Sequence, residues 1–172
     1  MHHHHLINTL ATLLVWVTAT AAAAEDQQRV AAPAGAKRVL ETAAQGVQIY
    51  TCEKAADGYR WAFTAPDAAL FDESGRQIGT HFAGPSWQLL DTSKIIGEVV
   101  AQAPAPEPHA IAWLLLRAKS HEGSGVLNNA ELVRRTDTLG GAAPATACDA
   151  AQMGAQARMR YTAHYLFYTA PQ

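Results

Sequence analysis

The chain has 172 residues, enough for one domain, and 49% of them are hydrophobic while 16% are charged. This composition supports a packed core and argues against a disordered chain. A formal net charge of −2 argues against nucleic-acid binding, and no block of like charges is present to attach the chain to an anionic membrane surface.

The N-terminus has the pattern of a signal peptide. An apolar run from Leu6 to Val17 is followed by small residues, and Ala22 and Ala24 fit the pattern for cleavage before Glu25. The run is shorter than the about 20 apolar residues that span a membrane, and a buried N-terminal helix is the alternative. We expect a secreted or periplasmic protein with no membrane span after cleavage: a signal peptide at 1–24, a flexible leader at 25–39 and a single β domain at 40–172.

The first half of the β domain alternates with a period of two. Val47–Cys52 and Tyr59–Thr64 are predicted strands, joined across Asp57-Gly58, a pair typical of tight hairpins. Pro66 and Asp67 are predicted to end the second strand. Further hairpins are expected around three turn sequences: Asp-Glu-Ser-Gly at 72–75, Gly-Pro at 84–85 and Asp-Thr-Ser at 91–93.

A loop rich in proline at 103–108 introduces the second half. Ile111–Leu116 is continuously apolar, which is typical of a strand buried on both faces, with a short helix as the alternative. Leu132–Thr138 and Arg158–Tyr168 are predicted strands, and Asp149 is expected to cap a short helix between them. About eight or nine short antiparallel strands with little helix predict an all-β domain, either a β-sandwich or a partly open β-barrel.

Cys52 and Cys148 are the only cysteines of the chain. Two cysteines in an exported protein most simply pair with each other, and a redox or metal-binding thiol is less favoured because no CxxC spacing occurs. A bridge that closes a loop of roughly a hundred residues would stabilise the fold by about 4–5 kcal/mol in the chain-entropy model.

Four histidines follow the signal peptide, at positions 81, 109, 121 and 164, without the close spacing of a firm metal site. The run His2–His5, native or a tag, is left out of the chemistry. His81 is the strongest candidate for a ligand or general base at a pocket rim, because a rigid Gly-Pro turn follows it. A histidine that is hydrogen-bonded to the backbone of that turn is the alternative.

Three further residues are candidates for ligand binding. Trp87 follows the Gly-Pro turn and is expected near the surface, whereas the other large aromatic residues are expected in the core. Asp91 lies in a turn, where aspartate commonly bonds its own backbone. Arg134 belongs to an Arg-Arg pair that can clamp an anion, although strand alternation places only one arginine of the pair on each face.

Several ordered strings carry a family resemblance: GVQIYTC at 46–52, HFAGPSW at 81–87, IAWLLL at 111–116, TLGG at 138–141 and YTAHYLFY at 161–168. Over about residues 40–168 the chain resembles a family of secreted bacterial and fungal proteins catalogued as domain of unknown function 3455. The resemblance implies an export signal, paired cysteines and no agreed activity. The chain departs from the family pattern with Thr92, where glycine is usual, and with Ala112, where proline is favoured.

No nucleophile-elbow or dinucleotide-binding motif occurs. The first hypothesis is therefore an extracytoplasmic, monomeric β domain that binds a small ligand or a protein or polymer partner. The second is a metal-assisted hydrolase or oxidoreductase that uses His81 with Asp91 or His121. The third is an inhibitor of a secreted enzyme, which would present an exposed apolar patch. The ligand and any cofactor stay open.

Overall fold

A computed structural model describes residues 24–172. Residues 1–23, which hold most of the predicted signal peptide and His2–His5, lie outside the described residues. Across residues 24–172, no helix has the length and apolar character needed to cross a membrane.

Eight strands form one antiparallel sheet in the described part of the chain: β1 (Arg38–Ala55), β2 (Gly58–Phe71), β3 (Gln77–Phe82), β4 (Ser86–Leu89), β5 (Lys94–Ala103), β6 (Trp113–Glu122), β7 (Leu132–Gly140) and β8 (Gln156–Tyr168). Each strand pairs with the next, and β8 pairs back with β1, so the sheet closes into a barrel. The barrel is irregular, because its strands range from 4 to 18 residues. The all-β prediction is confirmed, and one closed sheet takes the place of a sandwich.

Pro66 does not end a strand, in contrast to the prediction, because β2 continues through it to Phe71. Pro66 pairs with Gln48 of β1, whereas the pairing of β2 with β3 begins only at Ala68. At Pro66 the strand therefore has one free edge, which is where a residue without an N–H is tolerated in a sheet.

One end of the barrel, here called the base, is closed by a 3-10 helix between β6 and β7, Val126–Asn129. Its Leu127 is fully buried and packs in the main core with Leu70, Ile95 and Phe167. The turn between β4 and β5 holds this helix in place. Asp91 Oδ2 accepts a hydrogen bond from the Val126 N–H at 2.8 Å, and Ser93 Oγ accepts one from the Leu127 N–H at 3.3 Å.

A second, smaller apolar cluster covers the outside of β6. Val30, in the segment predicted to be a flexible leader, is fully buried against Leu115 and Leu132. Leu114 and Leu116 point the other way and pack against the main core. Both faces of β6 are thus covered, as its continuous apolar run predicts, and the helical alternative is wrong.

A disulfide joins Cys52 at the end of β1 to Cys148 in the loop between β7 and β8, with Cα atoms 6.1 Å apart. The predicted pairing is confirmed. It ties together two segments separated by 96 residues at the end of the barrel opposite the base, here called the rim. Beside it, Asp149 caps the 3-10 helix Ala150–Gln152, as predicted, by accepting from the Ala151 and Gln152 N–H groups.

Removal of this bridge tests its contribution. We expect the double variant Cys52→Ala/Cys148→Ala to lose up to about 4–5 kcal/mol of unfolding free energy, because the unfolded chain regains the entropy of a long loop. Urea unfolding of the variant measures the loss, and the wild type under reducing conditions is the control. Two reactive thiols in folded, oxidised wild-type protein would contradict the pairing.

Candidate functional site

A cavity of about 700 Å³ opens at the rim of the barrel, opposite the Leu127 helix. Its walls are mostly apolar and come from β1, β2, β5, β6 and the loop between β5 and β6: Tyr50, Phe63, Pro66, Val99, Leu114 and Ile111. Five polar side chains also line it: Gln48, Thr64, His81, Gln102 and Arg135. The described residues that line the cavity include no carboxylate.

The wall of the cavity is held by two rim loops that are bonded to each other. After β7 the chain turns at Gly140 and Gly141, which both have positive φ, and a Cβ on Gly141 would lie 2.8 Å from that of Tyr161. The Tyr50 hydroxyl donates to the Gly141 carbonyl at 2.7 Å. The Ile111 N–H donates to the Gly140 carbonyl at 2.9 Å. These bonds fix the cavity wall before any ligand arrives.

His81 forms part of the cavity floor and is only 2% exposed. Its Nδ1 lies 2.8 Å from the Ser86 carbonyl oxygen, so Nδ1 carries the hydrogen and Nε2 is left as an acceptor. Burial lowers the pKa of His81 to about 3. The side chain is therefore a neutral imidazole, bonded to the backbone of the turn that follows it.

The Gly-Pro turn before Trp87 predicted a position near the surface for this side chain. Trp87 lies instead beneath His81. The two rings stack at a centroid distance of 4.5 Å and an interplanar angle of 12°, and Trp87 is 1% exposed. His81 and Trp87 are directly paired on β3 and β4, which turns both side chains inward. Trp87 therefore belongs to the packed core under the cavity and is not among the residues that line it.

Arg135, and not the candidate Arg134, is the arginine that lines the cavity. Its Nε and Nη2 both donate to the Ala112 carbonyl, at 3.0 and 2.8 Å. Within residues 24–172, no carboxylate lies within 4 Å of its guanidinium group. Arg135 pairs with Tyr165 of β8, which is buried in the main core, whereas Arg134 pairs with Leu166, so strand register decides which arginine faces the interior.

Gln48 is a cavity residue that sequence reasoning missed. It is 2% exposed, and its Nε2 has no hydrogen-bond partner within residues 24–172. Tyr50 and Tyr161 lie on the same side of the barrel, and burial raises the pKa of both phenols, so they are protonated at neutral pH. Gln48 and Tyr50 belong to the β1 face that alternates with Val47 and Ile49.

The other candidates lie away from the cavity. Asp91 is in the turn at the base, where burial raises its pKa but hydrogen bonds from Ser93 and Val126 bring it below the usual value. His121 Nε2 lies 2.8 Å from the Ala130 carbonyl oxygen. The structure therefore does not bring His81 together with Asp91 or His121. In the part of the chain that it describes, no group of three or more His, Cys, Asp or Glu residues could hold a metal ion.

A family model described as "Protein of unknown function (DUF3455)" matches residues 33–169, and the chain belongs to this family. No curated protein and no solved structure matches the chain.

The buried imidazole predicts an acid-sensitive fold. Unfolded His81 binds a proton below its ordinary pKa of 6.5, whereas folded His81 stays neutral down to about pH 3, so stability is lost as the pH falls through this window. Between pH 6.5 and 5 the loss attributable to His81 is about 2 kcal/mol. Urea unfolding of the wild type and His81→Gln over this range measures the difference, and parallel pH profiles would contradict it.

Asp91 is expected to act on stability at the base and not on the cavity. Asp91→Ala removes the acceptor for the Val126 N–H and should cost about 1–3 kcal/mol of unfolding free energy. Asp91→Asn, which keeps one carbonyl oxygen, should lose less. Urea unfolding gives both values, and an unchanged midpoint for Asp91→Ala would show that its hydrogen bonds do not hold the helix.

Proposed function

We propose that this member of the family is an extracytoplasmic binding protein that takes a small, mostly apolar molecule into the cavity at the barrel rim. The observation that carries the proposal is the cavity itself: about 700 Å³ within a closed barrel, with apolar walls and a few polar groups at its floor. Eight-stranded barrels are just wide enough to hold one small ligand, and pockets of this size and lining are typical of small-molecule sites.

Preorganisation supports binding. Hydrogen bonds from Tyr50 and Ile111 to the backbone of Gly141 and Gly140 fasten the rim loops to each other and to β1. The disulfide from Cys52 to Cys148 ties the end of β1 to the same loop between β7 and β8. A ligand would therefore enter a site whose walls are already ordered, which reduces the entropy cost of association.

The polar side chains of the lining support an occupant that is not wholly apolar. Gln48 and His81 both line the cavity, and His81 Nε2 is left as an acceptor because Nδ1 bonds the Ser86 carbonyl. A ligand with a polar group at one end would meet these polar side chains while its apolar body contacts the walls.

Two of the exposed large hydrophobic side chains of the described residues belong to the cavity, which favours a cavity-binding role over an inhibitor's docking patch at this position. Phe63 and Val99 are 55% and 51% exposed, and both line the cavity. The open mouth accounts for their exposure, and Phe63 packs edge-on against Tyr50 at a centroid distance of 5.8 Å. The enzyme hypothesis lacks comparable support, because Asp91 and His121, the groups expected to act with His81, do not line the cavity.

The cavity can be tested with a neutral fluorescent probe, N-phenyl-1-naphthylamine. We expect saturable binding to the wild type and a loss of at least about tenfold in affinity for Ala142→Trp, which places an indole in the cavity. Ala143→Trp is the matched control, since Ala143 is exposed in the same loop and does not line the cavity. Absence of saturable binding to the folded wild type would overturn the proposed function, as would equal binding by both variants.

A further inference from the structure

We propose that the molecule held in the cavity is an amphipathic anion whose charged group pairs with Arg135. This inference rests on the proposed binding function and specifies the chemical class of the ligand. A carboxylate or sulfonate on an apolar body fits the arrangement, since Arg135 is a single cation that recognises planar or multiply accepting anionic groups.

The charge of the cavity is the first observation. Arg135 is the one formally charged side chain among the described residues that line it. None of the ion pairs within residues 24–172 includes Arg135. His81 at the floor is neutral and adds no charge. A cation next to apolar walls and without a protein counterion favours an anionic ligand, because the low local polarity weakens screening.

The orientation of Arg135 is the second observation. Its bonds to the Ala112 carbonyl use the Nε and one Nη2 donor and hold the guanidinium plane in place. A guanidinium group has five N–H donors, and Arg135 is also hydrogen-bonded to the Tyr165 side chain, so up to two donors are left for other acceptors. The positive charge of Arg135 also affects the hydroxyl groups of Tyr50 and Tyr165. Burial raises the pKa of both side chains, and Arg135 opposes that rise. Arg135 is therefore a fixed cation directed into the barrel.

The other polar side chains that line the cavity do not compete with Arg135 for the charge of the ligand. Gln48, Thr64, Gln102 and the neutral His81 carry no charge, and the described lining includes no carboxylate. Arg135 therefore determines which charge the cavity favours. An acceptor-only carboxylate or sulfonate fits its donors, whereas an ammonium group does not.

A matched pair of probes tests the inference without any variant. N-phenyl-1-naphthylamine and 1-anilinonaphthalene-8-sulfonate share an anilinonaphthalene skeleton and differ by the sulfonate group. We expect the wild type to bind the sulfonate about tenfold or more tightly than the neutral probe, as a charge-assisted hydrogen bond would provide. Competition by octanoate but not by octanol would extend the result to carboxylates.

Variants then test whether Arg135 causes the preference for the sulfonate over the neutral probe. Arg135→Gln should lose the preference for the anion while its affinity for the neutral probe stays within about threefold, and Arg135→Lys should keep part of the preference. Arg134→Gln is the matched control, since it removes the same charge one residue away without touching the cavity lining, and it should leave both affinities unchanged. Circular dichroism and urea unfolding verify that each variant is folded.

The outcomes separate the two proposals. The inference is overturned, while the proposed function stands, if the wild type binds the neutral probe as tightly as the sulfonate. The same holds if Arg135→Gln keeps the preference for the sulfonate. If the neutral probe does not bind the wild type at all, the proposed function fails first, and the inference fails with it.

Discussion

The pairing of β8 with β1 is the constraint on which the other features of the domain depend. It runs from Arg38 opposite Tyr168 to Thr51 opposite Gln156, and it converts a meander of eight described strands into a closed sheet. Closure removes the free edges of the sheet and encloses an interior. Because the side chains of a strand alternate, every strand must then present one set of residues to a limited interior volume.

The interior is divided into a packed half and a hollow half, and His81 lies at their boundary. Below it, Trp87, Phe167 and Leu127 fill the barrel as far as the base. Above it, the side chains facing inward leave a cavity of about 700 Å³. A neutral histidine suits this boundary, since one ring face stacks on Trp87 while the ring edge bonds the Ser86 carbonyl. The same burial makes its protonation costly.

Local patterns predicted most of the strands, the Asp57-Gly58 hairpin and the disulfide, because each depends on a few neighbouring residues or on composition. The closing contact between β1 and β8 has no local signature. Hydrophobicity also did not identify the inner face of β1. The polar Gln48 is buried inside the barrel, whereas the apolar Val47 and Ile49 lie on the other face and are only partly buried. The choice of Arg135 over Arg134 depends on the register of β7 with β8, which is interrupted by a bulge between Thr136 and Leu139.

The overall charge of a protein of this kind is a poor guide to the charge of its ligand. The formal net charge of −2 alone would suggest a mild preference for cations. Fields from exposed surface charges are screened within about 8 Å at physiological ionic strength, whereas a charge inside a cavity acts on its ligand at contact distance and in a less polar medium. Arg135 is placed in this second situation by the alternation of β7 and by its bonds to Ala112. One arginine on the inner face therefore outweighs the excess of carboxylates elsewhere in the chain when a ligand enters the barrel.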